Sequence, residues 1–363
     1  MILRTLILFA GLTALSASAA DWPMHRGSAL QNGASAEILP EKLEILWKFQ
    51  TKDTIEGSFA IVDGIVYAGS FDEYLYAIDL KTGNELWKTK LAPIKAPPSV
   101  RGDFVYVGDV DGKFHCLDKK GKVVWSFETS GEITGGAAFV GETVLIGSHD
   151  ASLYCLDAKG RKIWEFRTEG PVNGSPAVVG DSTFVAGCDQ QLHIVDVKTG
   201  KERAKIALNS EAAATAAIRD TSLYVGTMSS NSLIGIDLGK NEVTWSFAAP
   251  RRAQAFYSSA AVTEELVIAG SRDKKVYAID RKTGKPVWEY LTEHRVDSSP
   301  VVASGRVFFG SMDKHFYVLD VKTGKELQKF PMDGTIVSSP AVADGRVLIG
   351  TEKGTIYCLG GKK

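Results

Sequence analysis

The chain has 363 residues, 44% of them hydrophobic and 23% charged, the balance of an ordinary globular protein rather than a disordered one. Its 42 basic and 43 acidic residues leave a net charge of −1, which argues against a generally basic nucleic-acid binder and against an acidic tail. The 36 glycines, about one residue in ten against a usual share of about 7%, imply many tight turns, and four cysteines are too few to staple them.

Residues 1–20 read as an export leader. Arg4 supplies a positive start, Thr5 to Leu15 is uncharged and apolar, and Ser16-Ala17-Ser18-Ala19-Ala20 offers small residues for cleavage after Ala19 or Ala20. The run is shorter than the about 20 apolar residues of a membrane span, and no later segment reaches that length. No cysteine stands near the cleavage point to take a lipid. The expectation is a periplasmic or secreted protein, soluble after cleavage and monomeric. An N-terminal segment then covers residues 21–42, and a single domain covers residues 43–363.

From residue 43 onward one phrase returns. An apolar strand ends in glycine, a polar turn follows, and a second strand ends in Asp before a turn and often a Trp. The strand-ending glycines are Gly69, Gly108, Gly147, Gly187, Gly226, Gly270, Gly310 and Gly350, spaced 39, 39, 40, 39, 44, 40 and 40 residues apart. That period fits one four-stranded propeller blade. The short β-rich runs, such as Arg306-Val307-Phe308-Phe309, exclude a helical solenoid.

The second turn is nearly uniform: Asp79 to Gly83, Asp196 to Gly200, Asp280 to Gly284 and Asp320 to Gly324, with shorter copies at Asp118 and Asp157. An Asp that accepts the turn's N–H groups and a glycine at positive φ make this structural punctuation. Trp47, Trp87, Trp125, Trp164, Trp245 and Trp288 follow in the next strand, where they are expected to pack between blades. The fourth and seventh units carry Arg203-Ala204 and Leu327-Gln328 instead. Trp47 precedes the first glycine strand, and the last unit ends without an outer strand. The N-terminal strand over residues 43–50 is therefore expected to complete the last blade. The fold expected is an all-β, eight-bladed propeller of four-stranded antiparallel blades.

Residues Ala77-Ile78-Asp79-Leu80-Lys81-Thr82-Gly83-Asn84-Glu85-Leu86-Trp87 resemble the tryptophan-docking motif A-x-D-x-x-T-G-x-x-x-W of pyrroloquinoline-quinone-type propeller repeats, and Ala278 to Trp288 repeat it in full. Asp21-Trp22-Pro23-Met24-His25-Arg26-Gly27 also resembles the opening of exported bacterial members. The resemblance implies either of two roles. One is that of the non-catalytic propeller lipoproteins of outer-membrane β-barrel assembly. The other is that of the quinoprotein dehydrogenases, which are much longer and carry a calcium site and often a vicinal cysteine pair. Here Cys116, Cys155, Cys188 and Cys358 are isolated, and there is no C-x-x-C-H haem motif. No catalytic, cofactor-binding or metal-binding residue is assigned, and no cofactor is expected.

The interblade loops vary while the Asp turns do not, so binding is expected at the former. The longest loop, with Arg251, Arg252, Phe256 and Tyr257, lies near Arg272, His294 and Arg295 in the repeat. Together they are the candidate basic, partly aromatic binding patch. His115 and His193 fall within strands and read as packed or edge residues. The expected function is an exported non-catalytic scaffold that binds a protein, peptide or glycan partner in the cell envelope, without nucleic acid. The alternative is a quinoprotein-type dehydrogenase or another enzyme, a hydrolase or lyase, acting in the central funnel.

Overall fold

The computed structural model describes residues 21–249 and 254–362. The expected leader, and Arg251 and Arg252 of the candidate patch, lie outside them. Eight sheets form the ring, each with four blade strands in the order A to D from the axis outwards, and one of them carries a fifth, short strand. The first seven blades occupy residues 60–90, 99–128, 138–167, 177–207, 217–248, 261–291 and 301–331. The eighth joins residues 341–360 to an outer strand, Glu44–Gln50, which pairs antiparallel with Thr355–Gly360. This is the ring closure expected from the sequence, and it pairs two strand edges that would otherwise be open. Among the described residues no helix is long and apolar enough to cross a membrane.

Strands B and C are buried on both faces, because each blade is covered by its two neighbours. Their glycines make that stacking possible. A methyl group on Gly69 would lie 2.2 Å from Ile94 Cγ2, and one on Gly350 would lie 2.4 Å from Ile55 Cγ2. Each glycine thus seats the aliphatic side chain that the following interblade loop sends across the seam.

The outer seams are closed by the tryptophans. Trp87 Nε1 donates to Lys119 O of the next blade at 2.8 Å, while its ring lies against the turn glycine Gly121. Trp47, Trp125, Trp164, Trp245 and Trp288 donate in the same way to Leu80, Ala158, Val197, Arg281 and Val321. Each indole therefore needs a C–D turn on the neighbouring blade. Blade 8 has none, since its C and D strands come from opposite ends of the chain. There Gln328 takes over and bonds Leu43 N and O at 3.0 and 3.1 Å. At the other exception Ala204 faces the blade 5 turn, where Asn241 rather than glycine holds the positive φ of 55°. Without an indole to admit, that position tolerates a side chain.

The segment before the first blade winds around the axis in blade order. The carbonyls of Trp22, Pro23, Ala29, Leu30, Asn32 and Gly33 accept the N–H groups of Ile61, Val100, Val178, Ile218, Val262 and Val302 at 2.7–2.9 Å. These donors sit on the A strands of blades 1, 2, 4, 5, 6 and 7. Ala34–Ser35 then adds a short parallel strand to blade 7. Residues 22–35 thus fill the axis of the ring.

Candidate funnel at the interblade-loop face

The A strands begin at a belt of small residues. Gly136 N donates to Ser175 Oγ, Ser175 N to Thr215 Oγ1, Thr215 N to Ser259 Oγ, Ser259 N to Ser299 Oγ, and Ser299 N to Ser339 Oγ, at 2.8–3.0 Å. The hydroxyl of one blade caps the inner strand of the previous one. Pro97 and Gly136 supply no hydroxyl, and beside Gly136 the side chain of His25 packs in from the axial segment. His25 is buried, and desolvation, assisted by the neighbouring Arg26 charge, pushes its pKa down to about 3. The imidazole is neutral at any ordinary pH.

Above the belt opens a funnel of about 570 Å³, with His25 at its inner end. Its wall at the next level is one column of the repeat: Glu56, Lys95, Thr134, Asn173, Tyr257, Asp297 and Val337 all line it, with Ala213 in the remaining blade. Arg272, Arg295, His149, Met228 and Glu352 also line it. The groups are paired across blades. Arg272 Nε and Nη2 contact Asp297 Oδ1 and Oδ2, both at 2.9 Å, and Arg295 Nε approaches Oδ2 at 3.4 Å. The Arg272 guanidinium also lies 3.4 Å from the centre of the Tyr257 ring. Lys95 pairs with Glu56 at 3.4 Å. Burial, with the Glu56 charge nearby, raises the Glu352 carboxyl above the usual range.

The expected patch is therefore partly assembled here. Tyr257, Arg272 and Arg295 meet at the funnel mouth, and His294 is exposed on the loop beside them. Phe256 is not part of any surface. It is fully buried among Phe247 and Tyr277, because its backbone crosses the seam against Gly226. Nor is the cluster simply basic, because Asp297 neutralises part of it. Asp297, Glu56, Lys95, Glu352 and His25 were missed in the sequence. The signal that finds the first three is the alignment column two residues before the belt, where seven of the eight blades differ from glycine, alanine or serine.

Other polar pairs stay structural. Asp79 Oδ1 accepts Thr82 N at 2.8 Å and Thr82 Oγ1 at 2.7 Å, and Asp196, Asp280 and Asp320 repeat this. In the B–C turns Tyr76 and Tyr317 donate to Asp72 and Asp313, while His115 and His193 pair with Asp109 and Asp189 at the same kind of position. Both histidines are buried, as expected for packed strand residues. Cys116, Cys155 and Cys358 are buried free thiols raised by desolvation to about 11, 11 and 12.

A repeat-family model described as "Outer membrane protein assembly factor BamB" matches residues 41–165 and 111–360. The chain is 29% identical over 143 residues to quinohemoprotein alcohol dehydrogenase ADH IIB of Pseudomonas putida, a match covering 33% of this chain and 20% of that protein. It thus spans about a fifth of that relative's length. The structure of BamB from Moraxella catarrhalis superposes with a TM-score of 0.74 at 19% identity, over 88% of this chain and 98% of that one. The quinohemoprotein alcohol dehydrogenase of Comamonas testosteroni gives 0.82 at 16% identity, over 95% and 81%. At such identities the likeness is one of fold.

A bound quinone of the dehydrogenase kind is a planar polyanion that needs flat apolar cover and cationic or metal partners. The inner end of this funnel is His25 with glycine and serine. Tyr257, the funnel's one Phe, Tyr or Trp among the described residues, is already covered by Arg272. Both arginines are committed to Asp297, and among the described residues no three His, Cys, Asp or Glu side chains are placed to hold a metal ion. The described residues of the funnel do not fit the group.

Proposed function

The chain belongs to the PQQ-type repeat family whose model is described as outer membrane protein assembly factor BamB, and on that premise we propose that it is an exported, non-catalytic binding propeller. It presents the funnel mouth and interblade loops to a protein or peptide partner in the cell envelope. The observation that carries this reading is the contrast between two repeat columns. The turn column on one face repeats Asp, Thr and Gly, whereas the funnel column on the other face carries Glu56, Lys95, Thr134, Asn173, Tyr257, Asp297 and Val337. Variable side chains on a constant frame are what selective recognition requires.

The paired charges favour a partner surface that carries both signs and can exchange with the Arg272–Asp297 and Lys95–Glu56 pairs. The expected leader over residues 1–20 supports an envelope location. The enzymatic alternative is tested by titrating the purified protein with pyrroloquinoline quinone and calcium. A binding propeller gives no saturable spectral change and no substrate-dependent dye reduction. Saturation together with dye reduction would replace this reading with the dehydrogenase one.

A further inference from the structure

We propose that the axis of the ring is a peptide-binding channel whose resident ligand is the chain's own segment, residues 22–35. The inference does not depend on the proposed role of the funnel mouth.

Closing eight blades into a ring pairs every A strand with its B strand on one side only. The other side faces the axis, and alternate N–H groups there have no partner within the blade. Unpaired buried donors are costly, so the axis demands acceptors. The segment supplies carbonyls to six of these donors in turn, each from a different blade. Recognition is by backbone bonds made one blade at a time, with extended pairing only at Trp22–Ile61 and over Ala34–Ser35.

Side chains add selectivity. Arg26, 1% exposed, adopts a positive φ of 58° and donates from Nη1 to Ser299 O at 3.1 Å and from Nη2 to Ala260 O at 2.9 Å. It therefore fastens blades 6 and 7 to the centre. Trp22 is also buried, and its ring fills the space beside Gly27, where a methyl group would lie 2.7 Å from Trp22 Cζ3. Trp22 and Arg26 thus anchor the N-terminal half of the segment, and its backbone carbonyls hold the rest. Beyond residue 35 the chain leaves the axis and crosses blades 7 and 8, where Leu39 is buried and bonded to Ser304 and Arg306, while Glu41 and Lys42 are exposed. The covalent link to the ring can therefore be cut without touching the axial contacts.

The test places a protease recognition sequence between Glu41 and Lys42 of the full chain and cuts the folded protein. The released segment is expected to stay with the ring through gel filtration. After stripping in mild denaturant, a synthetic peptide of residues 21–41 should rebind and restore the melting temperature, and an Arg26→Ala peptide should bind at least tenfold more weakly. Loss of the segment on cutting with an unchanged melting temperature would overturn the proposal, as would equal binding of the two peptides. If the insertion prevents folding, amide exchange in the uncut protein decides. Val100, Val178, Ile218, Val262 and Val302 must exchange as slowly as their strand ladders; exchange at loop rates contradicts the channel.

Discussion

The Arg26 guanidinium and the Gly33 backbone share one small volume on the axis: a methyl group built on Gly33 would lie 1.9 Å from Arg26 Nη2. Gly33 also holds a positive φ of 60°. Gly33→Ala therefore combines a left-handed backbone penalty with overpacking, and a loss of about 2–4 kcal/mol is expected in denaturant unfolding. In an Arg26→Ala background the overpacking part disappears, so the same change costs only about 1–2 kcal/mol there. Equal costs in both backgrounds would show that the two residues do not constrain each other.

The Trp87–Gly121 contact predicts a second coupling. Because Trp87 is only partly buried, Trp87→Phe removes chiefly its bond to Lys119 O and costs about 1 kcal/mol. Gly121→Ala drives a methyl group to 2.6 Å from the Trp87 ring at a φ of 84° and costs more, about 2–4 kcal/mol. Asn241→Gly, on the blade 4–blade 5 seam where no indole packs, stays within about 0.5 kcal/mol of wild type. Hydrogen exchange should show the blade 4–blade 5 seam opening before the Trp-closed seams.

Much of this was legible in the sequence. The glycine spacing and the Asp–Thr–Gly turns set the blade number, and the position of Trp47 ahead of the first glycine strand set the closure. The six tryptophans sit on the seams as their repeat position required, five of them half-buried and Trp288 buried. What the sequence did not reveal was the path of residues 21–35, because axial backbone bonds carry no side-chain signature. The charged lining of the funnel was also hidden. Its charged column belongs to eight segments about forty residues apart, and reading single loops picked out Phe256, which the chain buries, instead of Asp297, which organises two arginines.

Thiol reactivity follows from burial. Cys116, Cys155 and Cys358 are buried and held at about 11, 11 and 12, so they present almost no thiolate at neutral pH. Cys188 is partly exposed, with its Sγ accepting from Asn173 Nδ2 at 3.1 Å. A maleimide reagent should label one cysteine per native chain, at position 188, and four after denaturation. Native labelling of Cys116 or Cys358 would contradict the closed seams.

His25 makes the fold acid-sensitive. Its pKa is about 3 when folded and about 6.5 when unfolded, so between these values only the unfolded chain takes up the proton. The stability due to the neutral imidazole is complete above about 6.5 and falls as the pH drops towards 3. At pH 4.5 the loss amounts to about 3 kcal/mol, from about 1.4 kcal/mol per pH unit below the unfolded value. A His25→Gln variant should show a correspondingly flatter fall in unfolding free energy from pH 6.5 to 4.5. An unchanged slope would place the titrating group elsewhere.

The most direct test of the binding-face assignment is photocrosslinking from each face of the propeller in the cell that exports it. A photoreactive residue at Glu293, exposed on the blade 6–blade 7 loop, is compared with one at Lys81, exposed on the opposite face. The account predicts a discrete crosslinked partner from position 293, lost when Arg272 and Asp297 are both replaced by Ala, and none from position 81. Equal crosslinking from both faces, or a partner captured only from position 81, would contradict it.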